Sequence, residues 1–111
     1  MSDEQARRVG LNESIFRQVN EQIESLNRNL GGGLSRMTII CECASGDCTE
    51  RFDVPVTEYE ETRADPRRYI IVPGHELPEY ESVVERGKGY DIVQKREGEP
   101  AELAKNLDPR S

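Results

Sequence analysis

Cys41-Glu42-Cys43-Ala44-Ser45-Gly46-Asp47-Cys48 holds every cysteine of the chain, and the lone histidine follows in Pro73-Gly74-His75. Three thiols and one imidazole make a Cys₃His set, a common donor set of structural zinc. Cys41 and Cys43 sit two apart at the end of Met37-Thr38-Ile39-Ile40-Cys41, whose β-branched, apolar composition predicts a strand. Period-two geometry turns both thiols to the same side. Cys48 returns after four residues that include Gly46, which permits a tight reversal. His75 follows Arg68-Tyr69-Ile70-Ile71-Val72, the most apolar run and a predicted central strand. If that strand neighbours the one ending at Cys41, the imidazole supplies the fourth donor. The run therefore predicts a small α+β domain stapled by Zn2+ on Cys41, Cys43, Cys48 and His75.

Other chemistries compete for the same residues. Cys41 and Cys43 can serve as small buried hydrophobes, with His75 exposed. They can also form a redox pair, although Glu42 and Asp47 are expected to raise the thiol pKa values and dull thiolate reactivity. An iron–sulfur cluster accepts such a set in some proteins, but this spacing does not follow the cluster motifs. Catalytic zinc needs an open position and a nearby carboxylate base. Glu76, Glu50 and Asp47 are at hand, yet His75-Glu76-Leu77 does not fit a deaminase signature. A four-donor site would consume every cysteine and the only imidazole, which points to a binding module rather than an enzyme.

The chain has 111 residues, enough for one domain with an arm or tail. Hydrophobic residues make up 34% and tryptophan is absent, so the core is thin and gains most from a staple. The formal net charge is −7, with thirteen acidic and nine basic residues between positions 31 and 96. That balance disfavours general phosphate binding. Arg7-Arg8, Arg67-Arg68 and the group Lys88, Lys95 and Arg96 are the local basic spots on which a nucleic-acid-binding regulator would depend. No stretch approaches the roughly 20 apolar residues of a membrane span. The acidic start Met1-Ser2-Asp3-Glu4-Gln5 does not look like a secretion signal, so the expected location is cytoplasmic. In a reducing compartment, clustered cysteines read as metal ligands or redox groups.

Three pieces are expected. Residues 1–30 form a helical arm, with Phe16, Val19, Ile23, Leu26 and Leu30 stepping by three and four along one face. Val9 extends the stripe, and Asn12 is a candidate N-cap. Such a seam either packs on the protein's own core or pairs with a second copy or a protein partner. Gly31-Gly32-Gly33 makes residues 31–34 a hinge. Residues 35–96 form the compact domain: a mixed or antiparallel sheet of about four strands with one or two short helices. Its helices are expected near 57–63, opened by a capping box of Thr57 and Glu60, and near 77–85. Residues 97–111 read as a disordered tail with at most one helical turn near Ala101 and Ala104.

Three elements resemble a group of small bacterial proteins of actinobacterial type. They are the helix segment Asn12-Glu13 to Asn20-Glu21, the Cys-Glu-Cys-x₄-Cys-Thr-Glu run and the Pro73-Gly74-His75-Glu76 turn. No activity is established for that group. The resemblance implies only that the Cys/His set is one unit. The expected function is a structural-zinc module for protein–protein interaction or regulation.

Overall fold

Short β-branched runs pair into two antiparallel sheets where the sequence predicted one. The computed structural model describes residues 3–29, 35–45 and 47–110. Leu30, the expected hinge at residues 31–34 and Gly46 lie outside the described residues. The order is α1 (Asp3–Asn29), β1 (Arg36–Ile40), β2 (Arg51–Pro55), α2 (Val56–Arg63), β3 (Arg68–Ile71), β4 (Glu81–Arg86), β5 (Asp91–Lys95) and α3 (Glu99–Asn106). β1 pairs with β2, and the second sheet runs β3-β5-β4. The fold is α+β, as expected.

Residues 41–43 bridge the sheets. The Cys41 N–H donates to the Glu50 carbonyl at 2.9 Å, carrying the β1–β2 ladder past the strand end. The Glu42 N–H donates to the Ile70 carbonyl at 3.0 Å, and the Ile70 N–H donates to the Glu42 carboxylate at 3.0 Å. The backbone and side chain of Glu42 thus cover the open edge of β3. β3 is an edge strand, not the predicted central one. It is buried because this run occupies the place of a neighbouring strand.

Two apolar clusters form the core. Met37, Ile39, Val54, Tyr59, Ile70 and Ile92 belong to one, and Cys41, Cys43, Tyr69, Ile71, Val93 and Ala104 to the other. Phe52 packs against both.

Four local expectations need correction. The helix expected near 77–85 is β4, because Glu81-Ser82-Val83-Val84 carries a β-branched pair and turns Glu81 inward beside Lys95. α2 starts at Val56 with Pro55 as its N-cap and no side-chain cap, so the Thr57 capping box does not form. Asn12 lies inside α1, not at its start, and its amide donates to the Ala44 carbonyl at 2.9 Å. The tail expected to be disordered contains α3, which buries Ala101 and Ala104. Small side chains let α3 approach α1 closely. A Cβ added at Gly10 would lie 2.8 Å from Leu103 Cδ1 and 3.3 Å from Pro100 Cα.

α1 turns its charges inward. Between Val9 and Asn27 its charged residues are Glu13, Arg17, Glu21 and Glu24. Glu13 and Arg17 are fully buried, Glu24 is nearly so, and the Glu21 side chain is 13% exposed. Arg17 donates to the carbonyls of Pro66 at 2.5 Å and Ala104 at 2.6 Å, and its guanidinium lies over the Tyr69 ring. Lys95 sits between Glu13 and Glu81, all three out of water. Burial pushes Glu13 up from 4.5 to about 8, against the pull of the Lys95 ammonium and with the Glu81 charge adding to the rise. One cation in a dry site cannot balance two carboxylates, so Glu13 keeps its proton.

The predicted apolar seam lies about a third of a turn from this buried stripe. Ile23 packs on the core and Phe16 is half-buried, while Val19 and Leu26 are exposed and Leu30 is not described. The five residues therefore do not form one free docking face. Ion pairs and hydrogen bonds hold α1 on its own domain, and sequence periodicity scored only apolar positions.

Candidate metal centre

The site grows from two chain reversals and one alternating run. Cys41 and Cys43 face one side, and Glu42 between them faces the other, into the core. Cys48 returns through a loop in which its N–H donates to the Ser45 carbonyl at 3.2 Å. His75 arrives from β3 through a turn closed by its own N–H on the Val72 carbonyl at 3.0 Å. Gly74 has φ +92°, a left-handed conformation that disfavours a side chain. Pro73 fixes the preceding φ. The turn delivers the imidazole to the thiols.

One ligand atom from each of Cys41, Cys43, Cys48 and His75 lies within 4.8 Å of all the others. His75 Nδ1 is 3.6 Å from Cys41 Sγ and 3.7 Å from Cys48 Sγ. Around tetrahedral zinc, with bonds of about 2.3 Å to sulfur and about 2.0 Å to nitrogen, neighbouring sulfur and nitrogen atoms stand roughly 3.5 Å apart. These two nitrogen–sulfur distances are thus close to the edges of such a tetrahedron, and the chemistry of the four donors suits a soft divalent ion.

The surroundings orient these donors. The Val72 N–H donates to Cys41 Sγ at 3.2 Å. Glu50 Oε2 stands 3.5 Å from His75 Nε2, behind the nitrogen that faces the thiols. A carboxylate in that position fixes the tautomer of a metal-bound imidazole. A hydrogen bond from the Cys41 thiol holds Cys43 down at about 5, with the Ser45 backbone, His75 and Cys48 contributing in spite of burial. Cys41 is pushed up by the same hydrogen bond and by burial, and Cys48 by burial. The expected dulling of the thiols by Glu42 does not apply to Cys43, because the Glu42 carboxylate is bonded away from the site to Asn20 and Ile70.

A cavity of about 460 Å³ opens beside Cys43, Cys48 and His75, walled by Asp47, Glu50 and Leu77 among others. The centre therefore lies near the surface, with Cys41 on its buried side.

Sequence reasoning named the four donors and overlooked what holds them. The inward turn of Glu42 was available from strand alternation. The contacts of Asn12 and Asn20 were not, because they join residues 20 to 32 positions apart. Of the basic spot expected from Lys88, Lys95 and Arg96, Lys95 is buried between carboxylates and takes no part in a surface, while Lys88 and Arg96 are exposed. Arg68 reaches Gln94, and Arg67 lies against Asp65. Among the described residues no helix is long and apolar enough to cross a membrane. The chain matches no protein-family model, no curated protein and no solved structure in the comparisons made.

Proposed function

We propose that this is a small zinc-stapled interaction module of the cytosol, with α1 as the element that meets a protein partner. Cys41, Cys43, Cys48 and His75 hold one structural zinc ion. The observation that carries this reading is the convergence of three sulfurs and one imidazole nitrogen within 4.8 Å of one another. Four protein donors fill a tetrahedron and leave no position for a substrate, which favours a structural over a catalytic metal. Glu50 behind the imidazole supports the same assignment.

Native mass spectrometry of the protein expressed with zinc tests the reading. One zinc per chain is expected, lost on Cys43→Ser or on chelation, with loss of folded signal in the cysteine loop. Cobalt in place of zinc is expected to give the visible absorption of a tetrahedral thiolate site. A protein that takes up neither metal, or whose fold ignores a strong chelator after complete metal removal, would sink the proposal.

A further inference from the structure

We infer that the outward face of α1 is a self-pairing surface, with a second copy of this chain as its occupant. The inference rests on the reading of α1 as the contact element and names what it contacts. A third of the residues in this protein are charged, yet every charge on α1 between Val9 and Asn27 faces inward. The outward side of that stretch carries Ile15, Gln18, Val19, Gln22 and Leu26. Ile15 is 57% exposed and Leu26 60%. Ile15, Val19, Gln22 and Leu26 step by four, three and four, the spacing of a two-helix seam. This differs from the seam expected from the sequence, which ran through Phe16 and Ile23.

Charge selects the occupant. A partner recognised by ion pairs would need charges on this face, and between Val9 and Asn27 it has none; the exposed Glu4 and Arg8 lie before this stretch. Two copies of a chain with net charge −7 repel through most of their surfaces. They can meet closely where each is uncharged. An antiparallel pair sets Ile15 of one copy opposite Leu26 of the other at both ends of the contact. Val19 then lies opposite Gln22, and the two Gln22 amides meet beside the two-fold axis. A carboxamide carries both donors and acceptors, so it satisfies a copy of itself. A symmetric contact of this kind is isologous and closes at two chains. The contact is shorter than a standard interface, so the dimer depends on concentration.

Sedimentation velocity on the full chain, from about 10 μM to about 1 mM, spans the range in which a contact of this size associates. The wild type is expected to pass from monomer to dimer. Gln22→Glu and Gln22→Lys, both good helix formers at an exposed position, should keep the circular dichroism of the wild type. Each is expected to weaken the dimer at least tenfold, by setting like charges together at the axis. An equimolar mixture of the two variants should associate again. A wild type that stays monomeric at the highest concentration overturns the inference, as does a dimer indifferent to both variants or a mixture that fails to pair. Zinc content read on the same samples separates the two proposals. A zinc-loaded monomer removes the pairing alone, and a metal-free dimer removes the zinc alone.

Discussion

The side-chain amide of Asn20 donates to the Glu42 carboxylate at 2.8 Å and to the Ile40 carbonyl at 2.9 Å, while its oxygen accepts from the Ile40 N–H at 2.9 Å. One side chain of α1 thereby imitates a neighbouring β-strand and grips the residue between Cys41 and Cys43. Seating of α1 and the conformation of residues 40–43 are mechanically joined.

Asn20→Ala removes three hydrogen bonds from an interface closed to water. The buried Glu42 carboxylate keeps the Ile70 N–H and loses its amide donor. The expected cost is about 2–4 kcal/mol in urea unfolding of the zinc-loaded protein. Asn20→Asp, which sets a second carboxylate against Glu42, should cost more. A loss within about 0.5 kcal/mol, the range of an ordinary surface change, would show that this amide does not hold α1.

Glu13 fixes a pH dependence. Its folded-state pKa is raised from 4.5 to about 8, chiefly by burial, so the folded protein holds a proton that the unfolded chain releases. The resulting stability is fully present below about pH 4.5 and is lost as pH rises toward 8. Glu13→Gln copies the protonated side chain and should flatten that part of the profile, leaving the variant more stable than wild type at pH 8. Lys95→Met takes the cation from between Glu13 and Glu81, and should cost roughly 3–5 kcal/mol at neutral pH. Unfolding midpoints measured between pH 4 and pH 9 check both.

Glu50 is exposed and its carboxylate lies 3.5 Å behind the imidazole of His75. Glu50→Ala should leave the metal-free fold unchanged and weaken zinc affinity by about tenfold or more, through a less well oriented ligand. Competition with a zinc-sensitive dye gives the ratio. Equal affinities would mean that the imidazole is oriented by its turn alone.

Gly10 tests the contact between α1 and α3. Glycine inside a helix ordinarily costs about 1 kcal/mol relative to alanine, so a replacement on open surface would stabilise. Here a Cβ meets Leu103 and Pro100, and Gly10→Val should destabilise by about 1–3 kcal/mol through overpacking. Faster hydrogen exchange confined to α1 and α3 would locate the damage.

Much of the donor set was legible because its signals are local. Period two at Cys41 and Cys43, the tight return to Cys48 and the Pro73-Gly74 turn are each fixed within a few residues. β1 and β3 were readable from β-branched composition. β4 was missed because Pro78 at a first turn suits a helix as well as a loop, and the buried pairing of Glu81 with Lys95 spans fourteen residues. The seat of α1 was misread for a deeper reason. Periodicity assigns burial to apolar residues, whereas Glu13, Arg17 and Asn20 are buried by partners that only the folded chain brings near. α3 escaped notice because its contact sets Leu103 and Pro100 against a distant glycine, Gly10, and buries two alanines, a signal of small size more than of hydrophobicity.

Arg17 donates to the carbonyl of Ala104, eighty-seven positions later in the chain. Translation makes the first helix early and its last hydrogen-bond acceptors late. A nascent chain stalled before Ala101 should therefore display a protease-sensitive first helix even where its cysteine loop has already captured an ion. The seat of the first helix would close only after the segment around Ala104 has been made.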